Sequence, residues 1–152
     1  MPVDFSRLAP DSPAIDAVVY LMGRLYEHDS IPYDERAART ALEGLLADER
    51  HGAAWIMEDG GTPMGYAVVT FGYSLEFRGV DAFLDELYIE ESHRGQGIAR
   101  RAIELAEEFC ANHGVRALHL EVERGNTGAQ AVYRKLGFSD HDRYLLTKWI
   151  SR

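Results

Sequence analysis

The chain has 152 residues, 46% of them hydrophobic and 27% charged. That is the mass and composition of one folded domain around a single core, and it argues against a disordered chain or a two-domain assembly. Its net charge of −9 is unevenly spread, with 6 basic and 17 acidic residues over 1–90 but 10 and 8 over 91–152. The absence of a concentrated basic stripe argues against nucleic-acid binding. No apolar run reaches the ~18–20 residues that cross a bilayer, so no membrane role is expected. The single Cys110 can form neither an internal disulfide nor a thiolate cluster, which fits a reducing, cytoplasmic setting.

Asp11-Ser12-Pro13 has the form of a helix start, and Ile15, Val18, Val19, Met22, Leu25 and Tyr26 follow at helical spacing to about His28. After Ser30-Ile31-Pro32, the residues Ala37, Ala41, Leu42, Leu45 and Leu46 outline a second amphipathic helix, so two helices precede any predicted strand. Ala53–Met57, the turn cluster Asp59-Gly60-Gly61-Thr62-Pro63 and Met64–Tyr73 read as a β-hairpin. Phe83–Ile89 reads as a further strand carrying two adjacent carboxylates, Asp85 and Glu86. From Gly97 to His113 the apolar set Ala99, Ala102, Ile103, Ala106, Phe109 and Cys110 is again helical, with Gly114 placed to end it in a left-handed turn. Val115–Glu123 alternates as a strand does, Asn126-Thr127 opens a last helix over Gly128–Leu136, and Tyr144–Ile150 reads as a closing strand. Strand, glycine turn, helix and strand make a βαβ unit, whose ligands gather at the carboxyl ends of the strands.

The turn Glu91-Ser92-His93-Arg94-Gly95-Gln96-Gly97-Ile98-Ala99-Arg100 carries the chemistry. Small residues at 95, 97 and 99 let a ligand approach the main chain, and the partnerless N–H groups of the helix's first turn suit phosphate oxygens. GxxxxGK[ST] is absent, and Arg100 stands where a dinucleotide fingerprint needs Gly or Ala, so nucleotide hydrolysis and nicotinamide binding are not expected. None of the six histidines has metal-ligand spacing, and no metal is expected.

Arg94-x-x-Gly97-x-Ala99, followed by Asn126 and by Ala131-Val132-Tyr133-x-x-Leu136-Gly137-Phe138, resembles the acyl-CoA-dependent N-acetyltransferases of the GNAT superfamily. Residues 12–150 also follow that family's element order. The resemblance implies a mixed, twisted β-sheet flanked by about four α-helices. It assigns Arg94, Gly95, Gln96, Gly97, Ile98, Ala99 and Arg100 to the CoA diphosphate. It also implies a bulged strand whose main-chain amides, at Leu87, Tyr88 or Ile89, engage the pantetheine arm and the thioester carbonyl. Tyr133 would lie near the sulfur, and Asn126 would cap its helix, contact CoA, or do both. Tyr73-Ser74 followed by Phe83–Ile89 looks most like the diamine and related small-amine acetyltransferases. Such domains often pair, which makes a homodimer possible.

Acetyl transfer to an amine needs a base, because an alkylamine with a pKa near ~10 is protonated at neutral pH. Either Asp85 or Glu86 can serve, with the other drawing in the cation. A main-chain N–H meets the oxyanion, and Tyr133, a phenol of pKa near ~10, can protonate a leaving thiolate whose acid lies near ~8.5. Tyr26, Glu27, Tyr33, Tyr73 and Glu76 are candidates for an acidic, aromatic acceptor pocket. Cys110 falls on an apolar helix face, so no acyl-enzyme is expected. The alternatives to a small cationic acceptor are a protein or peptide amine, and a non-catalytic acyl-CoA-binding module.

Overall fold

The computed structural model describes residues 2–152. The chain divides into two compact units, Met1–Leu120 and Glu121–Arg152.

The first unit is built on a five-stranded sheet in the order β1 (Val3–Arg7), β2 (Gly52–Asp59), β3 (Thr62–Ser74), β4 (Gly79–Ile89) and β5 (Ala117–His119). The first four strands pair antiparallel and β4 pairs parallel with β5, so the sheet is mixed. The helices α1 (Ile15–His28) and α2 (Glu35–Ala47) lie between β1 and β2 in the chain, and α3 (Ile98–Asn112) links β4 to β5. The hairpin, the strand with two carboxylates and the βαβ unit therefore stand where their sequence patterns place them. The strand at Val3–Arg7 departs from the expectation of two helices first. Val3 and Phe5 alternate with Asp4 and Ser6, but five residues with only Val3 fully buried give a short signal, and the strand's place comes from pairing with Trp55–Asp59.

Both faces of the sheet are covered. Val18, Leu21 and Met22 of α1 and Leu42 and Leu46 of α2 pack with Ala54, Ile56, Tyr66, Val68 and Tyr88 on one face. On the other, Phe109 of α3 meets Trp55 edge-on at 4.9 Å and stacks on Phe71 at 5.7 Å. A strand buried on both faces reads as a continuous apolar run, which is why Ala53–Met57 shows no alternation. Asp34 caps α2 by accepting the Ala37 N–H at 3.1 Å, and Ser12 Oγ accepts from Ala14 just before α1. Gly114 ends α3 at φ 70°, the left-handed turn its position predicts.

The second unit holds α4 (Thr127–Lys135). Asn126 Oδ1 accepts from the Ala129 N–H at 3.1 Å, so the capping half of its expected role is met. Arg134 pairs with Asp140 at 2.6 Å, and the rings of Tyr133 and Phe138 meet edge-on. Residues 144–150 form no strand, contrary to their sequence pattern, and the 115–123 strand shrinks to Ala117–His119. Alternation gives an extended segment its faces, but a strand also needs a neighbour to take its main-chain bonds, and the second unit offers none among the described residues.

Candidate active site

The carboxylates of β4 sit at a break in the ladder. Val68 faces Glu86 but Val69 faces Leu84, so Asp85 is the extra residue of a β-bulge. The bulge thus falls at Asp85, upstream of the 87–89 segment. Glu86 lies on the sheet face that α1 covers. Its Oε2 accepts the Tyr26 O–H at 2.6 Å and its Oε1 accepts the Tyr66 O–H at 2.8 Å. Burial pushes the Glu86 carboxyl above the usual glutamate range, and the two phenol bonds pull the other way. Asp85 reaches solvent, although the protein crowded around the bulge still raises its carboxyl pKa.

Downstream of the bulge the main chain becomes available on one side. The Glu90 N–H bonds to Met64 O, which sets the phase of the antiparallel ladder. By its alternation, Glu86 and Tyr88 turn their main-chain groups toward β3, while Leu87 and Ile89 turn theirs toward the opposite edge. Pairing with β5 there stops at Phe83. Of the three candidate amides, Tyr88's is therefore taken by the ladder, and those of Leu87 and Ile89 face the opening.

The glycine turn is anchored to the end of the same strand. Arg94 Nε donates to Ile89 O at 2.9 Å, and its guanidinium lies 5.6 Å from the centre of the Tyr88 ring. His93 Nε2 meets Asp59 Oδ2 at 2.9 Å, tying the turn to β2. Gly95 and Gly97 adopt φ 77° and 79°, and nothing lies within 4 Å of where either Cβ would be. Gly97 is the N-cap of α3 and no side chain caps the helix there, so no capping side chain takes its first-turn N–H groups, which lie beside a bare main chain. That is a cradle of bare main chain at a helix start, an arrangement that suits phosphate oxygens. Ile98 is buried, so only its amide can serve a ligand, and Arg100 Nε is held by Glu104 Oε1 at 3.1 Å. Gln96 reaches back to Ser92 O at 3.5 Å.

Two of the acceptor candidates line one open groove of about 590 Å³. Glu27 and Tyr33 share it with Asp16, Tyr20, Arg24 and Arg39, among others. Arg39 is paired with Asp16 at 2.7 Å and Arg24 with Glu90 at 3.1 Å. Tyr26 instead points its hydroxyl at Glu86, its ring edge-on to Tyr33 at 5.3 Å. Tyr73 and Glu76 do not join this set. Tyr73 pairs with Val80, five positions along β3 from Val68, or about 17 Å at strand rise, and Glu76 lies in the β3–β4 turn. Their aromatic and acidic character suits a cation pocket, but a hairpin carries its turn away from its base. Tyr133 stands on α4 of the second unit, and burial raises its phenol pKa.

Sequence reasoning missed Tyr66, whose signal was available. A wholly buried tyrosine needs an acceptor for its O–H, and alternation puts residue 66 on the face of Glu86. His119 donates to or accepts from Asp81 at 3.0 Å between the rings of Phe77 and Phe83, the satisfied core imidazole its strand position implies. Among the described residues no group of three or more His, Cys, Asp and Glu is placed to hold a metal, and no helix is long and apolar enough to cross a membrane.

This fold, with its bulged strand and glycine cradle, belongs to a recognised class. The Acetyltransferase (GNAT) family pattern matches residues 19–138. The chain belongs to that family. Mycothiol acetyltransferase of Amycolatopsis mediterranei is 31% identical over 137 residues, covering 84% of this chain and 43% of that protein. Thialysine N-epsilon-acetyltransferase of Bos taurus is 32% identical over 77 residues, 51% of this chain and 45% of that protein. The chain thus spans under half the length of these curated relatives. An aminoglycoside N-acetyltransferase solved in complex with CoA shares the fold at a TM-score of 0.83 and 20% identity, covering 99% of this chain and 96% of its own.

Proposed function

We propose that this chain transfers the acetyl group of acetyl-CoA to a primary amine, most readily a small cationic one, by direct attack in a ternary complex. The observation that carries this reading is the open Gly95–Gly97 turn, anchored by Arg94 to the end of the strand that holds Glu86. Acetyl-CoA supplies the activated acyl group as a thioester. The amides of residues 97–100 hold the diphosphate, since a helix N-terminus and a side-chain-free turn suit phosphate oxygens without reorganisation. Leu87 and Ile89 present amides that orient the arm and receive the carbonyl's developing charge. Glu86 accepts the ammonium proton, freeing the nitrogen lone pair, and a raised pKa suits it to that task. Asp85, uncapped and solvent-facing, draws the cation in. By the family motif, Tyr133 returns a proton to the sulfur as the C–S bond gives way to the C–N bond. Cys110 takes no part, because burial pushes its thiol up to about 11.

The small-cation preference rests on Glu27 beside Tyr20 and Tyr33 in the groove and on the acidic residues 1–90, with the thialysine acetyltransferase relative in keeping. The openness of the groove favours a peptide amine as the second reading. The lone buried cysteine and the family resemblance carry two further parts of the proposal, a cytoplasmic setting and a homodimer. A thiol-release assay with acetyl-CoA against polyamines, aminated metabolites and peptide α-amines tests the reading. Turnover on cationic amines that Glu86→Gln abolishes is the expected result. Turnover confined to peptide α-amines transfers the assignment to the second reading, and tight CoA binding without turnover on any amine makes the chain a binding module.

A further inference from the structure

Glu86 is held by two phenols that arrive from separate elements. Tyr26 comes from α1 and Tyr66 from β3, and each takes one carboxylate oxygen, at 2.6 and 2.8 Å. We propose that Tyr26 and Tyr66 are positioning residues for Glu86, fixing its rotamer and holding it ionised inside the protein while leaving a lone pair on each oxygen for the amine. The inference rests on the reading of Glu86 as the base. The clamp is itself rigid. Tyr66 is fully buried, and Tyr26 is backed edge-on by Tyr33, whose own O–H donates to Val19 O at 2.7 Å.

The electrostatics leave the phenols a clear task. The groups acting on Glu86 are Tyr26 of α1, Asp29 just beyond that helix, Tyr66 of β3 and Asp85 on its own strand, and the two charged ones are both anionic. The hydroxyls thus offset both burial and like charge. Because one donor rides on α1, which also walls the groove, the seating of that helix and the protonation of the base are coupled.

The test is a carboxyl titration of 13C-glutamate-labelled protein, read beside the pH profile of kcat/KM, for Tyr26→Phe, Tyr66→Phe and Tyr33→Phe. Loss of one hydrogen bond to a charged acceptor is expected to move the Glu86 midpoint upward by about one pH unit in each of the first two variants. The acid limb of the rate profile should move with it, at unchanged KM for acetyl-CoA. Tyr33→Phe, which loses the bond to Val19 O behind Tyr26 but leaves both phenol bonds to Glu86 in place, should move the midpoint less than either of the first two. A Glu86 midpoint unmoved in folded Tyr26→Phe protein overturns the proposal, and Tyr26, less buried than Tyr66, keeps the test open if Tyr66→Phe fails to fold. A midpoint that moves while the acid limb stays still upholds the clamp and removes Glu86 as the base.

Discussion

Replacing Gly97 by alanine should separate what the cradle does for the fold from what it does for the ligand. Gly97 sits at φ 79°, and no atom lies within 4 Å of the position its Cβ would take, so the substitution costs only backbone conformation. An L-residue in the left-handed region costs about 1–2 kcal/mol. At roughly 2–4 °C per kcal/mol for a chain of this size, Tm should fall by about 2–8 °C. Gly114 supplies a matched control. It stands at the other end of the same helix, at φ 70° and equally open, so Gly114→Ala should lower Tm by a similar amount. The two variants should part company in calorimetric titration with CoA. A methyl at position 97 occupies the space where phosphate oxygens would meet the α3 amides, and losing one such charge-assisted bond costs about 1.5–3 kcal/mol, or roughly 10–150-fold in Kd. Gly114→Ala should bind as the wild type does. Equal CoA affinities for the two variants would refute the cradle and the enzymatic reading with it.

Arg94→Lys keeps the charge but loses the Nε bond to Ile89 O and the flat contact on Tyr88, so CoA should bind several-fold more weakly in the same titration, about 5–10-fold, without loss of the fold. Glu86 has its folded-state pKa raised, so the stability it contributes is complete below the unfolded-state value and is lost as pH rises through the raised one. Thermal melts from acid to neutral pH should therefore show wild-type stability falling relative to Glu86→Gln across that window, and parallel curves would contradict the burial argument. Cys110, with its thiol near 11, should resist a disulfide reagent at pH 8 until denaturant is added. Stoichiometric labelling of the native protein would show that the thiol is not held inside.

Much of the first unit was legible because its signals are local. Helical spacing placed α1, α2 and α3, the Asp59–Pro63 cluster placed the hairpin, and the residues at 95 and 97 announced a turn that only a left-handed backbone can make. The pair Asp85 and Glu86 stood out because two carboxylates in a strand need a reason. What escaped was set by partners distant in the chain. β1 takes its register from β2, and the residue at which the expected bulge falls is a mismatch with β3 that no pattern within β4 reveals. The same holds for Tyr66, which gains its meaning only when Glu86 is laid opposite Val68. Tyr73 and Glu76 were grouped with the acceptor pocket by their aromatic and acidic character, and Tyr144–Ile150 was read as a closing strand, and in neither case does the local pattern contain the distance or the neighbour that decides the outcome.

Within the first unit, the stretch of β4 beyond Phe83 offers an unzipped flank to any extended segment that drifts by. Bare flanks of this kind seed aggregation, and proteins commonly guard them with kinks and charges. Here the kink at residue 85 and the exposed carboxylate of Asp85 supply both guards at one residue. The solvent-facing carboxylate of the bulge therefore has a second use, and Asp85→Asn should be felt first as stickiness in the unliganded protein.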